Sequence, residues 1–185
     1  MARNFILDPD RTLHAALFIL NKLGGKCDFH KLFKILYFAD QKHLAVYGTP
    51  ISGDLYVAMK NGPVPSELYD ILKSVRDLPA TQGAQYLHYF NVTDSYNVIA
   101  LSTADSERLS ESHQICLQQS IAENRGLSFN ELTQKSHQSA WHAAANDEMS
   151  FIDIAREGGA NDEMIRYIEF NLENQMIFNR YADLR

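Results

Sequence analysis

The chain predicts an α+β fold, mainly α, in which a helical domain carries a small antiparallel β-sheet. Three observations predict it. Apolar residues recur at helical spacing through seven segments. Only residues 55–59 and 85–101 alternate in the manner of strands. Glycine pairs, prolines and capping residues punctuate long helical runs rather than a succession of short strands.

The 185 residues suit a single domain spanning 1–185, with a core at about 10–101 and a C-terminal helical part at about 105–185. A chain of this length buries about 70% of its unfolded surface and needs no metal or disulfide to fold.

Asp8 and Pro9 open the first helix, the carboxylate accepting from free amides and the proline losing no bond at the first position. Leu13, Ala16, Leu17, Leu20 and Leu23 give it an apolar face, and Gly24-Gly25 ends it. Asp28 caps a second helix whose stripe of Phe29, Leu32, Phe33, Leu36, Ala39, Leu44 and Tyr47 is widened by Ile35, Tyr37 and Phe38. That width predicts a central helix with neighbours on more than one side. Asp40 falls in this stripe, four residues from both Leu36 and Leu44, so a carboxylate is carried into the core and must find donors there.

Gly48-Thr49-Pro50 turns the chain, and Leu55 to Met59 form a strand that Asn61-Gly62-Pro63 breaks. A helix follows, with Pro65 at its first position or Ser66 as its cap, and with Leu68, Ile71, Leu72 and Val75 inward. Its free amides, with Lys60 just upstream, are a place an anion could sit. Gln85–Val92 and Tyr96–Leu101 read as a hairpin pairing with the 55–59 strand. A helix is expected from Asp105 to Asn124, another from the Ser128/Glu131 capping box, a short one from Ser150 to Gly158-Gly159, and a last one from Asn161 lined by Ile165, Ile168, Leu172 and Met176.

Composition narrows the chemistry. The net charge of -6 opposes a dominant electrostatic grip on nucleic acid. Cys27 and Cys116 are isolated thiols without CxxC spacing, placed here in helical contexts, which fits a reducing cytoplasm rather than a disulfide framework. The start lacks a secretory h-region, and no run approaches the ~18 apolar residues of a membrane span. His137 and His142 are five apart and face different sides of a helix, and no zinc, phosphate-loop, dinucleotide or nucleophile-elbow motif is present. No cofactor is expected. Asp40 with His43 is the only local pair suited to acid–base work, and a structural anchor is the stronger reading of Asp40.

One dense stretch carries more than its parts. Lys31-Leu32, Leu36-Tyr37-Phe38-Ala39-Asp40, His43-Leu44, Tyr47-Gly48, Pro50-Ile51, Gly53-Asp54, Tyr56 and Gly62-Pro63-Val64-Pro65 occur in that order. This series resembles the signature of the Panacea, or SocA-like, antitoxin domain, a family also described as phage-associated. A looser echo, Ser136-His137 followed by Trp141, stands for the family's threonine-histidine and tryptophan. The resemblance implies a non-enzymatic protein that neutralises a toxin, usually encoded beside it, by direct binding. It marks Asp40, His43, Tyr47, Gly53, Asp54, Tyr56, Lys60, Gly62, Pro63, Pro65, His137 and Trp141 as motif or partner-site positions; among these, Asp40, Tyr56 and Lys60 are where a polar network could shape a partner surface. The competing reading is a winged-helix-like DNA binder, which the charges Glu67, Asp70 and Asp77 beside Lys73 and Arg76 do not favour.

Overall fold

A computed structural model describes residues 5–144 and 147–182, with side chains as far as residue 174. Eight α-helices and five short strands follow in the order α1 (Pro9–Lys22), β1 (Lys26–Asp28), α2 (Phe29–Tyr47), β2 (Tyr56–Met59), β3 (Gly62–Pro65), α3 (Ser66–Asp77), β4 (Phe90–Val92), β5 (Asn97–Ala100), α4 (Glu111–Asn124), α5 (Phe129–Ser136), α6 (Ser139–His142), α7 (Phe151–Glu157) and α8 (Asp162–Ala182). The mainly helical α+β class is the one the sequence predicts.

The expected caps form. Asp8 accepts from the Arg11 amide and Asp28 from the Lys31 amide, while Ser128 and Glu131 close a reciprocal capping box. Asn161 accepts from the Met164 amide at the start of α8. Ile165, Ile168 and Leu172 of that helix are buried; the Met176 side chain lies outside the described residues.

The centre of the molecule is α2. Leu32, Phe33, Ile35, Leu36 and Ala39 enter one apolar core with α1, α3, α4 and the β4–β5 strands. Tyr37, Phe38 and Leu44 enter a second with Leu132, Phe151, Ile154 and the inner face of α8. A helix walled on both sides can spare few positions for water, so its stripe wraps most of the cylinder. Each large apolar side chain taken fully from water contributes about 1.5–3 kcal/mol, so α2 adds to stability on both faces.

The strands depart from expectation in three ways. The 55–59 strand does not pair with the later hairpin. It turns at Lys60-Asn61 and pairs with β3 in the register Tyr56↔Pro65 to Met59↔Gly62, and its other edge is taken by Asp147–Met149. Gly62-Pro63 therefore begins a strand instead of ending one. Pro63 and Pro65 stand at alternate positions, where an antiparallel ladder asks for no donor. The β4–β5 hairpin instead joins β1, which local sequence does not announce, in a three-stranded sheet of order β1-β5-β4. Cys27 thus lies in a strand, not a helix, and both cysteines are free thiols.

The remaining differences are of length. Residues 84–89 form a 3₁₀ turn and further turns, and the ladder with β5 begins at Phe90, opposite Ala100. Ser106–Arg108 form a separate 3₁₀ turn, so α4 starts at Glu111, six residues after the expected Asp105.

Candidate functional site

The motif residues assemble as a buried polar frame beneath the β2–β3 hairpin. Asp40 is wholly buried and accepts four hydrogen bonds. The Ile51 amide at 2.6 Å and the Ser52 amide at 3.1 Å reach Oδ1; the Ser52 hydroxyl at 2.6 Å and the Tyr56 hydroxyl at 2.7 Å reach Oδ2. Burial raises the Asp40 pKa above the usual carboxylate value, and the four donors pull against it. With every acceptor direction filled, Asp40 ties the 48–56 loop to α2. This is the structural anchor that its place in the apolar stripe predicts.

His43 does not meet Asp40. Its Nδ1 lies 2.6 Å from the Thr49 carbonyl and its Nε2 3.0 Å from the Ser112 hydroxyl. A carbonyl cannot donate, so Nδ1 carries the proton and Nε2 accepts: a neutral ring, in keeping with a pKa that burial lowers. The acid–base pair considered from sequence is therefore not formed. Tyr47 packs its ring on His43 at 4.6 Å and remains partly exposed.

Asp54 is the next link. The Ser52 hydroxyl accepts from the Asp54 amide, and the Asp54 carboxylate accepts from the Glu67 and Leu68 amides, each at 3.0 Å. It thereby caps α3 from the preceding loop, since Pro65 at the N-cap position has no side chain able to do so. Ser66 is the first residue of the helix rather than its cap. Burial raises the Asp54 pKa to about 6 against the pull of the two amides. A carboxylate fills the helix start, and this overturns the anion site suggested for those amides. Lys60 is exposed at the hairpin turn, away from them. Gly53 has a φ of +70°, and a Cβ there would collide with the Ile6 carbonyl.

Lys34 and Glu157 went unrecognised in the sequence. The Lys34 ammonium is buried and donates to the Pro63 carbonyl at 2.8 Å. Its stem and the Ser136 hydroxyl close round Gly62, whose φ of +95° and missing Cβ make room for both. Burial lowers the Lys34 pKa to about 7. Its spacing was the available signal, because Lys34 precedes Tyr37 by three and Phe38 by four and so shares their face. Glu157 accepts from Tyr37 and Gln41 at one oxygen and from Ser139 and the Ala140 amide at the other, joining α2, α6 and α7. No local pattern marks it.

His137 and Trp141 complete the frame from the C-terminal half. Their rings stack at 4.0 Å, and the indole donates to the Met59 carbonyl at 3.0 Å, holding α6 against the end of β2. The structure thus brings Asp40, Asp54 and Tyr56 into one network, and Gly62, Pro63, His137 and Trp141 around the hairpin. Lys60 sits exposed at the hairpin turn with no part in the network, and Tyr47 and His43 pack on each other outside it. Among the described residues no group of His, Cys, Asp and Glu could hold a metal ion, and no helix is long and apolar enough to cross a membrane.

A family model described as antitoxin SocA-like, Panacea domain, matches residues 32–142, more than half of the chain. No curated protein and no solved structure matches it.

Proposed function

We propose, from the premise that this chain belongs to the SocA-like, Panacea-domain antitoxin family, that it is the antitoxin of a toxin–antitoxin pair and neutralises its toxin by direct protein contact. The observation that carries this reading is the match over residues 32–142, which contains the hairpin network from Asp40 through Trp141. The network supports a binding role in a second way: its polar groups are spent on one another. Asp40, Asp54 and His43 hold backbone and hydroxyl groups, which leaves them as the frame of a presented surface rather than as reagents. The toxin is expected from a neighbouring gene, in the cytoplasm. Co-expression tests the reading. The neighbouring product should arrest growth alone, lose toxicity with this protein present, and co-purify with it; persistent toxicity with no complex overturns it.

A winged-helix-like DNA binder acting on its own operon is the second reading. It draws on connectivity, since α1–β1–α2–α3–β4–β5 with strand order β1-β5-β4 is the arrangement of a winged helix with the β2–β3 hairpin inserted. In that arrangement α3 would face the major groove. Yet α3 offers Glu67, Asp70 and Asp77, and its Arg76 is held by Asp77 at 2.6 Å and by the Tyr96 ring at 4.2 Å. A gel shift on the upstream region at low salt, showing no bound species, removes this reading.

A further inference from the structure

We propose that the cleft enclosed by α2, the β2–β3 hairpin, α3, the β4–β5 turn and the start of α5 binds a small organic carboxylate, with the carboxylate paired to Lys34 and an aromatic or branched body against Phe29, Phe33 and Tyr69. Its volume of about 930 Å³ falls within the roughly 300–1,000 Å³ of small-molecule sites. Phe29, Phe33, Val64, Tyr69, Tyr96 and Phe129 line it. Large apolar side chains left in water also gather at its rim: Met59, Tyr96 and Phe129 are each about half exposed.

Backbone strain points to the same place. Among the described residues two non-glycine positions have left-handed φ, Tyr96 at +60° and Asp147 at +65°, and both line this cleft. Aspartate is among the residues that enter this region readily, whereas a bulky side chain such as tyrosine is a genuine outlier there. Glycine or asparagine would close the β4–β5 turn more cheaply. Tyrosine instead sets a ring on the rim, held edge-on by Phe29 at 5.5 Å and faced by Arg76 at 4.2 Å. A strained tyrosine retained at the rim of a cavity is the pattern of a functional site.

Lys34 supplies the chemistry. A buried ammonium has three donors and a high cost of desolvation. Here it makes one hydrogen bond, to the Pro63 carbonyl, and no described carboxylate is ion-paired with it. Of the acidic residues of the lining, Asp28 accepts from the Lys31 amide, and Asp147, exposed at the rim, bonds β2 through its backbone carbonyl; neither carboxylate is ion-paired with Lys34. A guest carboxylate would give the ammonium its missing counter-charge. A peptide strand is the poorer guest, because both edges of β2 are already paired and β3 is packed on α2.

The proposal is independent of the toxin reading, and either can fail alone. The test titrates the intact protein with 3-phenylpropionate and indole-3-propionate, each against its neutral amide, and follows backbone amide shifts by NMR. The acids should bind at least tenfold tighter than the amides, with shifts centred on Phe29, Lys34, Tyr69 and Tyr96. Lys34→Met should bring the acids down to the affinity of the amides. Tyr96→Gly, which relieves the backbone and removes a wall, should keep the melting temperature and weaken both acids and amides. Absence of saturable shifts, shifts centred elsewhere, or equal affinity of acid and amide for the native protein overturns the proposal.

Discussion

The Tyr56 hydroxyl donates to Asp40 Oδ2 at 2.7 Å with both residues wholly buried, and this bond fastens the β2 strand to the central helix. Asp40→Ala would leave two amides and two hydroxyls without an acceptor, at an expected cost of about 3–5 kcal/mol. Asp40→Asn keeps one acceptor oxygen for the Ile51 and Ser52 amides and offers hydrogens that the rotatable Ser52 and Tyr56 hydroxyls can accept. It should cost less than about 2 kcal/mol, as should Tyr56→Phe. Urea denaturation measures all three. If Asp40→Asn is as damaging as Asp40→Ala, negative charge and not hydrogen-bond geometry is what the site requires.

Asp54 caps α3 across a gap of twelve intervening residues. Asp54→Ala should cost about 1–2 kcal/mol and raise hydrogen exchange at the Glu67 and Leu68 amides, with the C-terminal half of α3 little changed. Uniform exchange along the helix would show that the cap does not govern its first turn.

What the sequence made legible follows the range of the interactions concerned. The caps Asp8, Asp28 and Ser128 act within four residues, and each stands where it was read. The width of the α2 stripe predicts neighbours on more than one side, because that much is read from one helix; that they form two cores is seen only in the fold. Strand partners are settled elsewhere: β1 is a strand because Cys27 faces Val98, some seventy residues on. The resemblance picked out Gly62 and Ser136 separately, but their meeting round Lys34 is a tertiary fact. Asp40 was readable as an anchor because a carboxylate in an apolar stripe has few other options. Its four donors lie in a loop with no periodicity to betray them.

Gly62 and Gly24 share left-handed backbones, at φ +95° and +89°, and differ in surroundings. A Cβ on Gly24 meets nothing within 4 Å; one on Gly62 collides with the Ser136 hydroxyl and comes within 2.7 Å of Lys34 Cε. Gly24→Ala should therefore cost about 1 kcal/mol, the backbone contribution alone. Gly62→Ala should cost at least twice that and should be partly relieved by Ser136→Ala in the same chain. Thermal denaturation of the four variants decides it, and additivity in the double mutant would refute the contact.

Lys34 should make stability depend on pH in a window that few other groups share. Burial lowers its pKa from 10.5 in the unfolded chain to about 7 in the fold, so between those values the unfolded chain binds more protons. Stability from this residue is complete above the unfolded value and is lost as pH falls through about 7. Between pH 7 and 9 the slope corresponds to about 2 kcal/mol of added stability. Cys27 and Tyr37 have pKa values raised by burial and act with the opposite sign, but only at and above about pH 9. The rise between pH 7 and 9 should therefore be visible in the native protein and absent from Lys34→Met, which keeps the stem and removes the charge. Guanidinium denaturation at half-unit pH steps measures it, and parallel curves for the two proteins would mean that the Lys34 ammonium is far better solvated than its burial beneath the β2–β3 hairpin implies.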